Sequence, residues 1–329
     1  MKRICLFSSA ILLAAAVPYA QAGTSLGLAS GYNVFVLGAY ATPGSTDIQG
    51  SVAVEGSFTA TGSLSVNEVP GSGSPLPAGI VVGGSLSLAG GQLDNTNAGG
   101  AYVGQNVSSS SYFNFEHNLN YGGTLNGSNI QVDGSYNVAS PTPINFSAAA
   151  TALTQLSTSL EGLTANGSVV VNGSTYTLTA SGCTLCVFDL TGGSFVGSAI
   201  NISAPSGATV VVDVSGGSDS FTSGSINYSG GVTANDTIFN FNAATTLTTN
   251  SMTIYGSILA PHAAFTGTNG SVDGELIAGS VTGETAELES GDIFSGNLPP
   301  AVAPEPATWL LMATALLACS VIRARKARV

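Results

Sequence analysis

The sequence predicts an all-β chain wound as a β-solenoid of the parallel β-helix type, with one amphipathic helix packed alongside. Three observations predict it. The phrase Gly-Ser-apolar recurs, at Gly50, Gly56, Gly62, Gly84, Gly134, Gly167, Gly256, Gly270 and Gly279. Between these points apolar and polar residues alternate in short runs such as SVAVEGSFTATGSLSV (Ser51–Val66) and GIVVGGSLSLAGG (Gly79–Gly91), the period of a strand punctuated by glycine turns. A single stretch, INFSAAATALTQLSTSLEGL (Ile144–Leu163), breaks into helical spacing. Turns this short and irregular, with few hairpin signatures, favour stacked coils in which apolar positions align as ladders. A β-sandwich is the alternative that the same short strands allow.

The elements follow in chain order. Lys2 and Arg3, an apolar run from Ile4 to Val17, and Ala20-Gln21-Ala22 read as a secretory signal over residues 1–22, with cleavage after Ala22 and a mature start at Gly23. The β body is expected over 23–299, with a surface loop at Asn67–Gly79. The helix is expected over about 146–162. Its stripe is Phe146, Ala150, Leu153, Leu156, Leu160 and Leu163, with Asn145 or Ser147 as cap and Gly162 or Gly167 as stop. Residues 300–306 form a Pro-rich linker that favours an extended chain.

Residues 307–322 are apolar and span about 24 Å as a helix, short of the roughly 30 Å hydrocarbon core. A basic tail, 323–329, follows and would stay cytoplasmic.

Charge excludes several function classes. The chain has 18 acidic and 6 basic residues, and no Lys or Arg occurs between Ile4 and Ile322. Without both ends, the body has no Lys or Arg to pair with a carboxylate or to clamp a phosphate. Nucleic acids and anionic lipid surfaces are therefore poor partners. With 44% hydrophobic residues, the chain can still bury a sizeable core.

Cys183 and Cys186 form a C-x-x-C, which serves in redox pairs, zinc sites and local disulfides. The flanks TASG and VFDL suit a turn between strands, and the only histidines, His117 and His262, lie far apart in sequence. Export favours oxidation, so a turn-pinning disulfide is expected, and no cofactor.

Tyr32–Gly62 (YNVFVLGAYATPGSTDIQGSVAVEGSFTATG) and Ser251–Pro299, with its YGSILAPHAAF and VDGELIAGS, resemble the opening and closing segments of the choice-of-anchor A domain of bacterial surface proteins. That resemblance spans about Ser30 to Pro299. It implies a β-helical adhesive surface module and brings no catalytic residues. The C-terminus resembles the PEP-CTERM sorting signal, with Pro304, Glu305 and Pro306 as the motif. This implies processing by an exosortase, transient inner-membrane insertion, and delivery to the surface or matrix of an exopolysaccharide-producing Gram-negative bacterium.

Candidates for chemistry are few. No G-x-S-x-G surrounds a serine. Lyases acting on acidic sugars need a basic group that this body lacks. Asp273 and Glu275 are expected to share a strand face, as a hydrolase pair would require. Glu284, Glu287, Glu289 and Asp292 form an acidic cluster that could offer oxygen ligands to calcium, although no EF-hand loop is present; a solvated acidic edge is the plainer reading. Thr175, Thr177 and Thr179, with Thr245–Asn250, are the threonine rows of an ice-binding face, but the sequence does not repeat them. The expected function is a non-enzymatic exported surface or matrix protein that contacts exopolysaccharide or other glycans. A glycan-active enzyme and an ice-binding protein are the alternatives.

Overall fold

The computed structural model describes residues 26–66, 78–95, 100–138, 142–283 and 287–300. The signal segment, most of the Asn67–Gly79 loop, Glu284, the Pro-Glu-Pro motif, the apolar run and the basic tail lie outside the described residues. Among the described residues, no helix is long and apolar enough to cross a membrane.

The chain is a three-sided parallel β-solenoid. In the N-terminal coils each side is a strand of two to four residues. Val34–Val36, Tyr40–Thr42 and Thr46–Ile48 make the first coil. They stack in parallel on Val52–Val54, Phe58–Ala60 and Leu64–Val66. Stacking continues to Tyr136–Val138. A smaller sheet of Ser168–Asn172, Thr175–Thr179, Ala199–Ser203 and Ser225–Ser229 forms one wall of the C-terminal coils, so the walls of each coil close around the core.

The order of coils in space is not the order in sequence. After the last N-terminal coil the helix Phe146–Glu161 carries the chain back to the opposite end. The C-terminal coils start at Thr175–Thr179 and Leu185–Thr191 and wind toward the middle. They finish when Leu276–Thr282 pairs with Val34–Val36 and Tyr40–Thr42, so the first coil is clasped between the two blocks. A 16-residue helix is about 24 Å long, the height of about five rungs at about 4.8 Å each, and so it bridges both blocks. One antiparallel pair departs from the pattern, the hairpin of Ser168–Asn172 with Thr175–Thr179.

The Gly-Ser-apolar phrase marks the corners. Its apolar residue points inward: Val52, Phe58, Leu64 and Leu86, which open their strands, and Ile258, Val272 and Val281, which lie within longer ones, are all buried. Ring stacking continues the ladders, as in Tyr40 with Phe58 at 4.5 Å and Phe195 with Phe221 at 4.6 Å. Tyr136, at the last N-terminal rung, is exposed because no coil follows it.

A second apolar layer lies outside one face. Phe35, Ala53, Val81, Val187, Val211, Ile238, Leu259 and Ile277 point outward from the coils and are covered by the helix together with Leu26, Tyr32, Phe294 and Leu298. The Asn145 side chain caps the helix by accepting from the Ala148 N–H at 3.1 Å, and Gly162 follows the last turn. The buried stripe is Phe146, Ala149, Leu153, Leu156, Ser157 and Leu160. Ala149 takes the place predicted for Ala150, because the N-terminal turn is set by Phe146 against Phe35, ring centroids 5.8 Å apart.

Leu153, 2% exposed, sits at the centre of this seam. Leu153→Ala is expected to cost about 2–4 kcal/mol, read as a lower denaturant midpoint with an unchanged slope. A loss below about 1 kcal/mol would mean that the helix does not brace the coils.

Candidate functional site

Of the three faces, one is covered by the helix. A second is open and flat, and it carries an unbroken rank of small side chains. The registers place Ser194 beside Ser220, Ser220 beside Thr248, and Thr248 beside Thr266. Thr266 meets Thr282, their hydroxyls 3.1 Å apart. Across the junction the rank runs through Ala41, Thr59, Ser87, Ser108 and Asn126. At about 4.8 Å per rung it is about 40 Å long, and no member is charged.

In the C-terminal block the rank widens into a grid. Ser218, Thr246, Ala264 and Ser280 run beside it on one side, and Thr222, Asn250 and Thr268 on the other. These residues face out because their neighbours in the same strands, Phe221, Leu247 and Phe265, fill the core. Hydroxyls bond across rungs, as in Ser218 with Thr246 at 2.6 Å, Ser220 to Ser194 at 3.3 Å and Ser108 to Ser87 at 3.2 Å. Cross-strand hydroxyl pairs of this kind hold side chains in one orientation. The threonine rows named from sequence recur only in part: Thr248, Thr266 and Thr282 align, and Ser, Ala, Asn and a single further Thr fill the other rungs. The mixed rank itself went unseen because one outward residue per three-residue strand is too sparse to read in sequence.

The other predicted residues fall elsewhere. Thr175, Thr177 and Thr179 lie on the third face, where Thr177 aligns with Asn201 and Asn227. Cys183 and Cys186 are disulfide-bonded, with Cα atoms 5.5 Å apart, at the corner leading into Leu185–Thr191. His117 and His262 are exposed, one in each block.

Asp273 and Glu275 do not share a face. The backbone turns at Gly274 (φ +149°), which leaves Asp273 half-buried and sends Glu275 into the interior at 1% exposure. Glu275 Oε1 accepts the Gly31 N–H at 3.0 Å, and its Oε2 is buried without a hydrogen-bond partner. Burial pushes this carboxyl up to about 8. The neighbouring Asn33 donates to the carbonyls of Gly274 and Glu289 and accepts from Gly50 N–H. Together these two side chains stitch the first coil to the last, and sequence alone singled out neither in that role.

Glu287 and Glu289 lie in register with Ser271 and Asp273, and Asp292 N–H donates to Asp273 Oδ1 at 3.1 Å. Burial, then Asp273 and Glu289, raise Asp292 to about 6. Among the described residues no three His, Cys, Asp or Glu side chains converge tightly enough to hold a metal ion; Glu284 of this cluster lies outside them.

Comparison with known proteins gives a family. No curated protein matches the chain. The solved "Crystal structure of ice binding protein from an Antarctic bacterium Flavobacteriaceae" is similar at 13% identity and a TM-score of 0.25, with 85% of this chain and 99% of that one covered; a TM-score that low carries no structural argument. The family described as "Putative Ice-binding-like adhesive domain" matches residues 25–290. That span takes in both blocks of coils, the helix and the whole open face, and the chain belongs to this family of ice-binding-like adhesive domains.

Proposed function

We propose that this chain is a non-enzymatic exported surface protein whose open face lies against extended extracellular polysaccharide. The uncharged rank from Ser194 to Asn126 carries the reading. Each hydroxyl both donates and accepts, so a glycan strand finds side-chain partners at every rung but that of Ala41. Weak contacts repeated along one rigid face, and over many copies, add to useful avidity. The body offers no Lys or Arg to neutralise an acidic sugar's carboxylate, and of the one carboxylate pair read from sequence Asp273 is half-buried and Glu275 interior.

The test is retention of the purified domain on exopolysaccharide. Thr248→Tyr with Thr266→Tyr breaks the flat rank without touching the core and is expected to lower retention at least tenfold. Unchanged retention, or release of soluble sugar by the wild type, would overturn the reading.

Delivery is part of the proposal. Pro304, Glu305 and Pro306, ahead of a short apolar run and a basic tail, fit a temporary hold for an exosortase. Fractionation of cells carrying a Pro-Glu-Pro variant is expected to leave the protein in the inner membrane. Release equal to wild type would sink that part alone.

A second reading, ice binding, is favoured by the Thr248–Thr266–Thr282 grid, whose regular hydroxyl and methyl spacing can order water. Thermal hysteresis abolished by the same double variant would establish it.

A further inference from the structure

At the far end of the helix-covered face the outward ladder changes character. Leu259 is followed by Asn240, Asp213 and Asp189, in register on adjacent strands. The helix ends here, and its last turn adds Ser157 and Glu161. Together these side chains border an open cavity of about 240 Å³, lined by Glu161, Asp189, Asp213, Asn240 and Asn242 with Thr191 and Ser215. The positions of the polar groups are fixed. Asn240 donates to Asp213 Oδ1 at 2.6 Å and to the Ser157 carbonyl at 2.9 Å, and accepts from Ser157 Oγ at 2.6 Å. Asn242 donates to Glu161 at 2.6 Å.

Asp213 is 8% exposed, and its Oδ2 is buried with no hydrogen-bond partner. An orphaned carboxylate oxygen of this kind is costly unless a donor reaches it. The carboxyls of Glu161 and Asp189 and the negative end of the helix face the same space. The chain holds no Lys or Arg between Ile4 and Ile322, so its own side chains leave Asp213 only a proton, and a cationic ligand is the other partner open to it.

Among the described residues no three acidic side chains converge tightly enough to hold a bare metal ion. The open cavity has space for several waters, the scale of a sugar ring. Amide and hydroxyl groups beside the acids suit a ligand that carries hydroxyls as well as one positive charge.

We propose that this cavity binds an amino sugar bearing a free ammonium group, with the ammonium between the exposed carboxyls of Asp189 and Glu161 and over the buried Asp213, and ring hydroxyls on Asn242 and Thr191. The site is separate from the open face and stands or falls without it. Burial first, then Asp189 and Glu161, lift Asp213 to about 6 against the Asn240 hydrogen bond. Binding should therefore weaken as pH falls through about 6. The titratable groups facing it are Asp189 on the neighbouring strand and Glu161 on the helix; Asn240 and Ser157 are neutral.

The experiment is titration of the β body with glucosamine and its dimer at pH 7 and 150 mM salt, followed by calorimetry and amide NMR. Saturable binding is expected, with shifts at residues 189–191, 213–215 and 240–242. N-acetylglucosamine should bind at least tenfold more weakly. Asp213→Asn and the exposed Asp189→Asn should each weaken glucosamine at least tenfold, whereas Glu287→Gln, which removes the same charge from the distant acidic cluster, should not. Equal binding of the acetylated sugar, equal loss in Glu287→Gln, no saturable binding by the wild type, or displacement by millimolar calcium would overturn the proposal. Retention on exopolysaccharide by the open face is unaffected by either outcome.

Discussion

The domain's thermal midpoint falls as pH rises from 5 to 8.5, and Glu275→Gln removes most of that fall. Glu275 lies at the seam between the two blocks, 1% exposed. Its carboxyl is lifted from an ordinary 4.5 to about 8 by burial, against the opposing Gly31 N–H. Between those values the native state keeps a proton that the unfolded chain has released. Linkage then makes stability fall with rising pH. The stability is fully present below about 4.5 and lost as pH climbs toward 8. At about 1.4 kcal/mol per pH unit the whole effect is on the order of 5 kcal/mol, or a midpoint shift of about 10 °C for a domain this size.

Other shifts add in the same direction. Asp213, Asp219, Glu289 and Asp292 are all raised, burial being the first cause in each. An ordinary domain shows the opposite trend, because Arg and Lys partners depress its carboxyls; the body between Ile4 and Ile322 has neither. Glutamine keeps the amide oxygen for Gly31 and cannot ionise. A wild-type midpoint that is flat or rising from pH 5 to 8.5, or a Glu275→Gln curve parallel to wild type, would remove the assignment.

The parts of the fold legible in sequence are those set by local chemistry. Gly-Ser-apolar marks a corner because glycine passes under the next coil and the apolar residue must turn inward. The helix shows because a 3.6-residue period and an Asn145 cap need no partner to be seen. What could not be read is whatever depends on stacking. Thr282 and Ala41 sit side by side only because the helix returns the chain and the last coil closes on the first. Thr59, Ser87 and Ser108 each contribute a single outward side chain from three residues of strand, so their rank exists only in the register. Asp189 and Asp213 lie on separate strands, and their alignment is likewise a property of the coil. The Asp273 and Glu275 expectation failed for a local reason: alternation was assumed through Gly274, where the chain turns.

Gly84→Ala is expected to destabilise the domain by about 3 kcal/mol or more, while Gly217→Ala stays within about 0.5 kcal/mol. Both are glycines in corners, and they differ in what lies beneath. A Cβ on Gly84 would stand 2.7 Å from the Gly56 carbonyl oxygen, 2.8 Å from its carbon and 2.9 Å from Ser57 nitrogen. All three are backbone atoms of the adjacent coil, so no flexible side chain can yield. The same corner repeats along the stack, since a Cβ on Gly56 would stand 2.8 Å from the Gly38 oxygen and one on Gly38 would stand 2.5 Å from the Gly279 oxygen. Making room at Gly84 therefore means parting two coils and stretching the Gly84 N–H to Gly56 bond, now 2.9 Å, and the Phe58 N–H to Ser85 bond, now 2.8 Å. Each bond is modest alone, but a solenoid is held by contacts between neighbouring rungs, and a breach in the middle weakens both sides. Gly217 has nothing within 4 Å of its Cβ position, so alanine there costs no contact and restricts the unfolded chain slightly. Denaturant titration of the two variants reads the difference directly. Similar midpoints for both would mean that corner glycines serve backbone freedom alone, and that the close passage of coil over coil is not what the recurring glycine secures.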